Sequence, residues 1–277
     1  MLFESAHVRV TAEYGVGTLW LGFPGTPVNA LDASRLAELD SALAAVETNP
    51  FLHTLVVRSA KPAGFCAGLH PSVAEVTDRS AFAARGQRVF ARLSALPFTT
   101  VAFIDGPCLG VGLELALACD HRLCVATPNT YLGFPQRFTC FGGSTRLRKL
   151  LGWNSSAFIE CSLTFSGREA CAFGLVDRAF CTRRAKIELR TFLDELERRP
   201  RIPTRARDET GFAAERRAFA VAELDCNTVA PPTDIDRLLA RGFITPLEAE
   251  QMRAEAVAKP QAASEPPAPA HTIRRAS

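Results

Sequence analysis

One carboxylate in this chain of 277 residues stands where a proton could be handled away from water. Glu114 is the only charged residue between Gly106 and Asp120, in the run GPCLGVGLELALACD, where a glycine-rich turn leads into an apolar helix. A carboxylate in the first turn of such a helix is partly desolvated, which raises its pKa toward that of a base useful near neutrality, while the helix dipole pulls it down. Two readings stay open: a proton-exchanging group, or a carboxylate that only stabilises the helix start. Two glycine-rich turns, Gly64 to Gly68 in GFCAGLHPS and Gly106 to Gly112, could each present backbone N–H groups. A lone turn of this kind uses glycine merely to bend, but two turns facing one pocket could hold a developing oxyanion between two amides. Cys66 lies beside the first turn without a neighbouring base, so its reading is packing.

These groups need elements to hold them. VRVTAEY alternates, GVG is expected to turn, and TLWLGF returns, which predicts a hairpin over residues 8 to 23. Asp32 can cap a helix in which Leu36, Leu39, Leu43 and Val46 recur at helical spacing, ended by Asn49 and Pro50. A short apolar strand at Leu55 to Val57 precedes the first glycine turn, a helix over 81 to 95 follows it, and TTVAFID is the next strand. Past Glu114 come the strand RLCVATP, the extended segment TYLGFP, and from Gly143 a helix-rich stretch with amphipathic segments near 184 to 198 and 210 to 223. Alternating strands and helices predict an α/β core with helices packed on a sheet. Residues 231 to 256 are expected to add a last small helical unit, and the Pro- and Ala-rich residues 258–277 read as a disordered tail.

Composition excludes several classes of function. With 47% hydrophobic and 22% charged residues the chain has material for a core, so general disorder is excluded. No apolar run approaches the roughly 20 residues that span a bilayer, and the first residues, MLFESAHVRVTAEYG, carry neither a basic nor an apolar leader pattern. A cytoplasmic protein with no membrane partner is expected. Nine cysteines without a CxxC step argue against a disulfide framework or a bound metal. The net charge of +3 comes from scattered arginines, with lysine only at 61, 149, 186 and 259, so no nucleic-acid partner is expected. A phosphate-bearing small molecule suits it better.

Taken together, PVNAL at residues 27 to 31, GFCAGLHP, GPCLGVGLELALACDHRL, the GGSTRL step and GREACAFGLVD resemble the crotonase superfamily, the enoyl-CoA hydratase/isomerase family, from about residue 8 to about 226. The resemblance implies a ββα spiral core over residues 1–180, a helical C-terminal region over 181–257, and a homotrimer or a hexamer. It implies acyl-CoA thioesters as substrates, with coenzyme A as part of the substrate and no separate cofactor. The family's two oxyanion-hole amides fall on Leu69 and Val111, and its catalytic glutamate on Glu114. Ala67, Gly68, His70, Pro71 and Gly110 are the implied substrate-binding positions. Asp120 and Arg122, in CDHRL, are read as structural ties.

Three departures from the family pattern bear on chemistry. Hydratases of this family carry a second glutamate in a Pro-Glu step, and here LGFPQ puts Gln136 at that catalytic position. The segment from Gln136 to the GGSTRL step is shortened to RFTCF. His70 stands where the family usually has Asp, either as a polar pocket residue or as an exposed loop residue without a role. Hydration needs help from a second carboxylate, whereas a double-bond shift needs one base and a decarboxylation mainly the oxyanion hole and an acid. Hydratase, isomerase, decarboxylase and a non-catalytic acyl-CoA-binding homologue are therefore the candidate functions.

Overall fold

The computed structural model describes residues 1–22, 28–152, 155–198, 210–222 and residue 250. It opens with a short β1 (Phe3–Glu4) antiparallel to β2 (Val8–Glu13), which pairs with β3 (Val16–Leu21) as the predicted hairpin. The reversal falls on Tyr14 and Gly15, with φ of 48° and 77°, so Val16 and Gly17 belong to the strand instead of the expected turn. A two-residue turn with both φ values positive has the twist that neighbouring strands need.

Asp32 caps α1 (Ala33–Glu47) by accepting the Arg35 N–H at 2.9 Å, and Leu36, Leu39, Leu43 and Val46 form its buried face. β4 (Thr54–Ser59), α2 (Arg79–Ala95) and β5 (Thr99–Asp105) make the first parallel crossover, and α1 packs on β2 and α2. Then follow β6 (Cys108–Leu109), α3 (Val111–Leu117), β7 (His121–Val125) and β8 (Tyr131–Gly133). The remainder is α4 (Gly143–Leu151), α5 (Ser155–Glu160), β9 (Thr164–Ser166), α6 (Gly167–Ala172), β10 (Arg178–Phe180), α7 (Ala185–Glu197) and α8 (Thr210–Val221).

The main sheet has the order β1-β2-β3-β4-β5-β7-β10, parallel from β3 onward, and β6, β8 and β9 form a second, small sheet. Leu55, Val56 and Val57 are all buried because helices cover both faces of a parallel sheet, which is why this strand reads as a continuous apolar run. On one face Val56, Val101, Phe103, Leu123, Val125 and Phe180 pack against Phe192, Leu189 and Leu193 of α7.

The described residues from 1 to 222 belong to one compact unit, which includes α7 and α8. The helical unit expected at 231 to 256, apart from residue 250, and the tail at 258–277 lie outside the described residues. The eight described cysteines are free; Cys66, Cys108, Cys119, Cys124 and Cys140 are buried, whereas Cys181 is exposed. No described helix is long and apolar enough to cross a membrane.

Candidate active site

The two glycine-rich turns meet through their backbones. Cys66 and Cys108 form a parallel bridge, Leu109 N–H donates to the Cys66 carbonyl at 2.9 Å, and Phe65 and Cys66 N–H both donate to the Pro107 carbonyl. Asn29, fully buried, holds the first turn by donating from Nδ2 to the Phe65 carbonyl at 3.0 Å and to Ser59 Oγ at 2.8 Å, while its backbone carbonyl accepts the Ala67 N–H. Gly112 sits so close that a Cβ there would lie 2.2 Å from the Cys66 carbonyl oxygen. Gly112→Ala should therefore force the turns apart at a cost of about 1–3 kcal/mol or more, seen as a lower urea midpoint at unchanged slope.

That junction leaves two amides over. Leu31 bridges Leu69 in parallel fashion by donating to the Gly68 carbonyl and accepting from His70 N–H, which turns the Leu69 N–H away from the bridge. Gly110 N–H is taken by the Gly133 carbonyl of β8 at 2.9 Å, and Val111 follows as the first residue of α3, where a helix has no internal acceptor to offer. Among the described residues neither the Leu69 nor the Val111 amide has a hydrogen-bond partner. Gly110 adopts a φ of 51° to start the helix at this angle, a value that favours glycine.

Gln136 reaches both turns. A Cβ on Gly110 would lie 2.7 Å from its Oε1, and one on Gly68 would lie 3.6 Å from its Nε2, so the half-buried carboxamide rests against the glycines that precede both free amides. The next residue, Arg137, has a φ of 59° and donates from Nε to Ser162 Oγ at 2.8 Å. His70 is half-buried and its Nδ1 accepts the Ser72 N–H at 3.2 Å, capping a 3-10 turn at Pro71–Glu75 that Pro71 opens. Cys66 is fully buried and its thiol is pushed up to about 12 by burial, so packing is its role.

Glu114 is buried with 1% of its surface exposed. Its Oε1 accepts the Cys140 N–H at 3.0 Å, and its Oε2 accepts the N–H groups of Phe141 at 2.7 Å and Gly143 at 2.8 Å. The shortened segment after Gln136 thus folds its backbone onto this carboxylate. Burial raises the Glu114 pKa from 4.5 to about 8, helped by the nearby Glu215 charge and opposed by the three amides. Val111 and Glu114 lie one turn apart, at the start of α3.

Sequence reading missed Glu215, Gln87 and Arg146. Glu215 accepts the N–H groups of Gly142 at 2.7 Å and Ser144 at 2.8 Å, and Gln87 Nε2 donates to the carbonyls of Cys140 and Phe212, each at 3.0 Å. A signal for Glu215 existed: it shares a helix face with Phe212 and Phe219, and a carboxylate inside an apolar stripe needs buried donors. Asp120 and Arg122 are structural ties as read: Asp120 accepts the Thr100 N–H at 2.8 Å, and Arg122 Nε donates to the Leu175 carbonyl at 2.9 Å. His121, unassigned from sequence, has Nδ1 3.3 Å from Asp177 Oδ1.

The model of the enoyl-CoA hydratase/isomerase family matches residues 13–227, a span that contains every site residue described above. The chain belongs to this family. Relatives of this enoyl-CoA hydratase/isomerase family member include the fatty acid oxidation complex subunit alpha of Vibrio campbellii, 34% identical over 174 residues, covering 60% of this chain and 25% of that protein. The subunit of the same description from Vibrio cholerae is 40% identical over 144 residues, covering 48% of this chain and 20% of the relative. The chain thus spans a quarter or less of these curated relatives.

Among solved structures, an enoyl-CoA hydratase/carnithine racemase from Magnetospirillum magneticum superposes with a TM-score of 0.66 at 21% identity, over 92% of this chain and 94% of that one. An enoyl-CoA hydratase from Bacillus anthracis gives 0.61 at 20% identity, over 91% and 89%. At such identities the superpositions speak to the fold alone, and that fold is the crotonase fold.

Proposed function

We propose that this family member binds an acyl-CoA thioester, stabilises its enolate between the Leu69 and Val111 amides, and moves a single proton through Glu114. The observation that carries the reading is the pair of amides left unpartnered at the junction of the two turns, with the Gln136 carboxamide against both glycines beside them. Preorganised donors of this kind oppose charge that develops on a thioester oxygen. Gln136 cannot exchange a proton, so Glu114 is the one proton-handling group, and a double-bond shift fits better than hydration. The relatives named for fatty acid oxidation point to fatty acyl chains on the thioester. Ala67, Gly68, His70, Pro71 and Gly110 line the approach in this reading.

A panel of 2-enoyl-, 3-enoyl- and malonyl-type CoA thioesters, with products identified by mass spectrometry, tests this directly. Turnover of a 3-enoyl thioester without hydration of a 2-enoyl one is the expected result. Exclusive hydration would overturn it. Because burial raises the Glu114 pKa to about 8, turnover that uses it as a base should rise with pH and level off above that value.

A second reading is favoured by one observation, the three amides that occupy Glu114. In that reading the carboxyl anchors the loop, and the oxyanion hole alone supports decarboxylation or ligand binding. Turnover restricted to malonyl-type thioesters, or a thermal shift with acyl-CoA and no turnover, would select it. For the assembly we propose a closed homotrimer, and light scattering at the monomer mass of 30.0 kDa would count against that.

A further inference from the structure

Five consecutive backbone amides, those of residues 140 to 144, are divided between two buried carboxylates from different helices. Glu114 of α3 takes the N–H groups of Cys140, Phe141 and Gly143, and Glu215 of α8 takes those of Gly142 and Ser144 together with the Ser144 hydroxyl. The alternation puts both carboxyl groups at the N-terminus of α4, where unpaired amides and the helix dipole attract acceptors. Arg146, one turn into α4, faces both carboxylates and donates from Nη1 to the Phe141 carbonyl at 2.7 Å. The Cys140 thiol is the other ionisable group against them. Around this turn α8 is fastened again, since Arg216 Nη1 donates to Gln87 Oε1 while Gln87 donates to the carbonyls of Cys140 and Phe212.

We propose that Glu215 is a positioning residue for Glu114: through the shared turn it fixes the loop that holds Glu114 and sets a second carboxyl group beside it. Docking of α8 is then a condition of the chemistry, because without Glu215 two of the five amides are orphaned and the carboxyl of α3 stands alone. The inference rests on the proposed acid/base role of Glu114 for its kinetic consequence only; the electrostatic coupling stands on the geometry. Sequence reading placed the family's second carboxylate at position 136, where this chain has Gln, and the structure supplies a second carboxylate from the C-terminal helix at a different place.

The test is the pH profile of 3-enoyl-CoA turnover in the full chain and in Glu215→Gln, which keeps the side-chain shape, removes the charge and, with a single oxygen, leaves one of the Gly142 and Ser144 amides without its acceptor. The expected result is a midpoint moved toward acid by about one pH unit, the size of a close like charge, with KM nearly unchanged. An unchanged midpoint in the folded variant overturns the proposal. Should the variant not fold, carbon-13 NMR of carboxyl-labelled glutamate in the unaltered protein decides the matter, with the Glu114 signal assigned from Glu114→Gln. A Glu114 signal that shows two titration steps supports the coupling, and a single independent step overturns it. If Glu114→Gln retains full turnover, the acid/base reading fails, while the carboxyl titration still decides whether Glu215 controls Glu114.

Discussion

Turnover in Glu114→Gln is expected to fall by a factor of about 10² to 10⁴, the usual contribution of a positioned acid or base, with acyl-CoA binding little changed. The same substitution removes one acceptor from a set of three buried amides, because a carboxamide can face them with only one oxygen. One orphaned buried N–H costs about 1–3 kcal/mol, so a parallel loss of stability is expected in urea unfolding. The pH dependence of that loss identifies its cause. The folded Glu114 pKa of about 8 lies above its ordinary 4.5, so the neutral form contributes stability in full below pH 4.5 and that contribution is lost as pH rises through about 8. The deficit of the variant should therefore be largest in acid and shrink above that range. A variant that is less stable yet turns over at the wild-type rate would reduce Glu114 to a loop anchor and leave the chemistry to the two amides.

Gln136→Glu is expected to lower enolate-type turnover by about 10² to 10³, the value of an oxyanion-hole donor. Its side-chain head rests against Gly68 and Gly110, so a carboxylate introduced there would compete with the thioester oxygen for the Leu69 and Val111 amides and repel the developing charge. Lowering the pH protonates that carboxylate and should restore activity, in contrast to the rise with pH expected of the wild type. A large gain in hydration of a short 2-enoyl thioester would mean instead that a second proton-exchanging group was all that hydration lacked.

Much of this molecule was legible along the chain because the interactions are local or periodic. The Asp32 cap, the Leu36-Leu39-Leu43-Val46 face and the alternation of β2 and β3 depend on neighbours within a few residues, and each element forms where its pattern lies. The hairpin turn shifted onto Tyr14 and Gly15 because strand twist, which spacing does not express, selects the turn. The family resemblance carried the fold, and it directed attention to Leu69 and Val111 because the glycines around them form contiguous motifs.

What Glu114 touches could not be read in the same way. Its partners lie 26 to 29 residues later, in a segment whose shortness was visible but whose path was not. Glu215 comes from a helix more than seventy residues beyond the turn it holds. Periodicity specifies which face of an element is apolar, and a motif specifies which backbone turns. The placement of two carboxylates on alternate amides of one helix start depends on how α3, α4 and α8 pack together, and burial in that packing, not residue type, is what raises the pKa of Glu114.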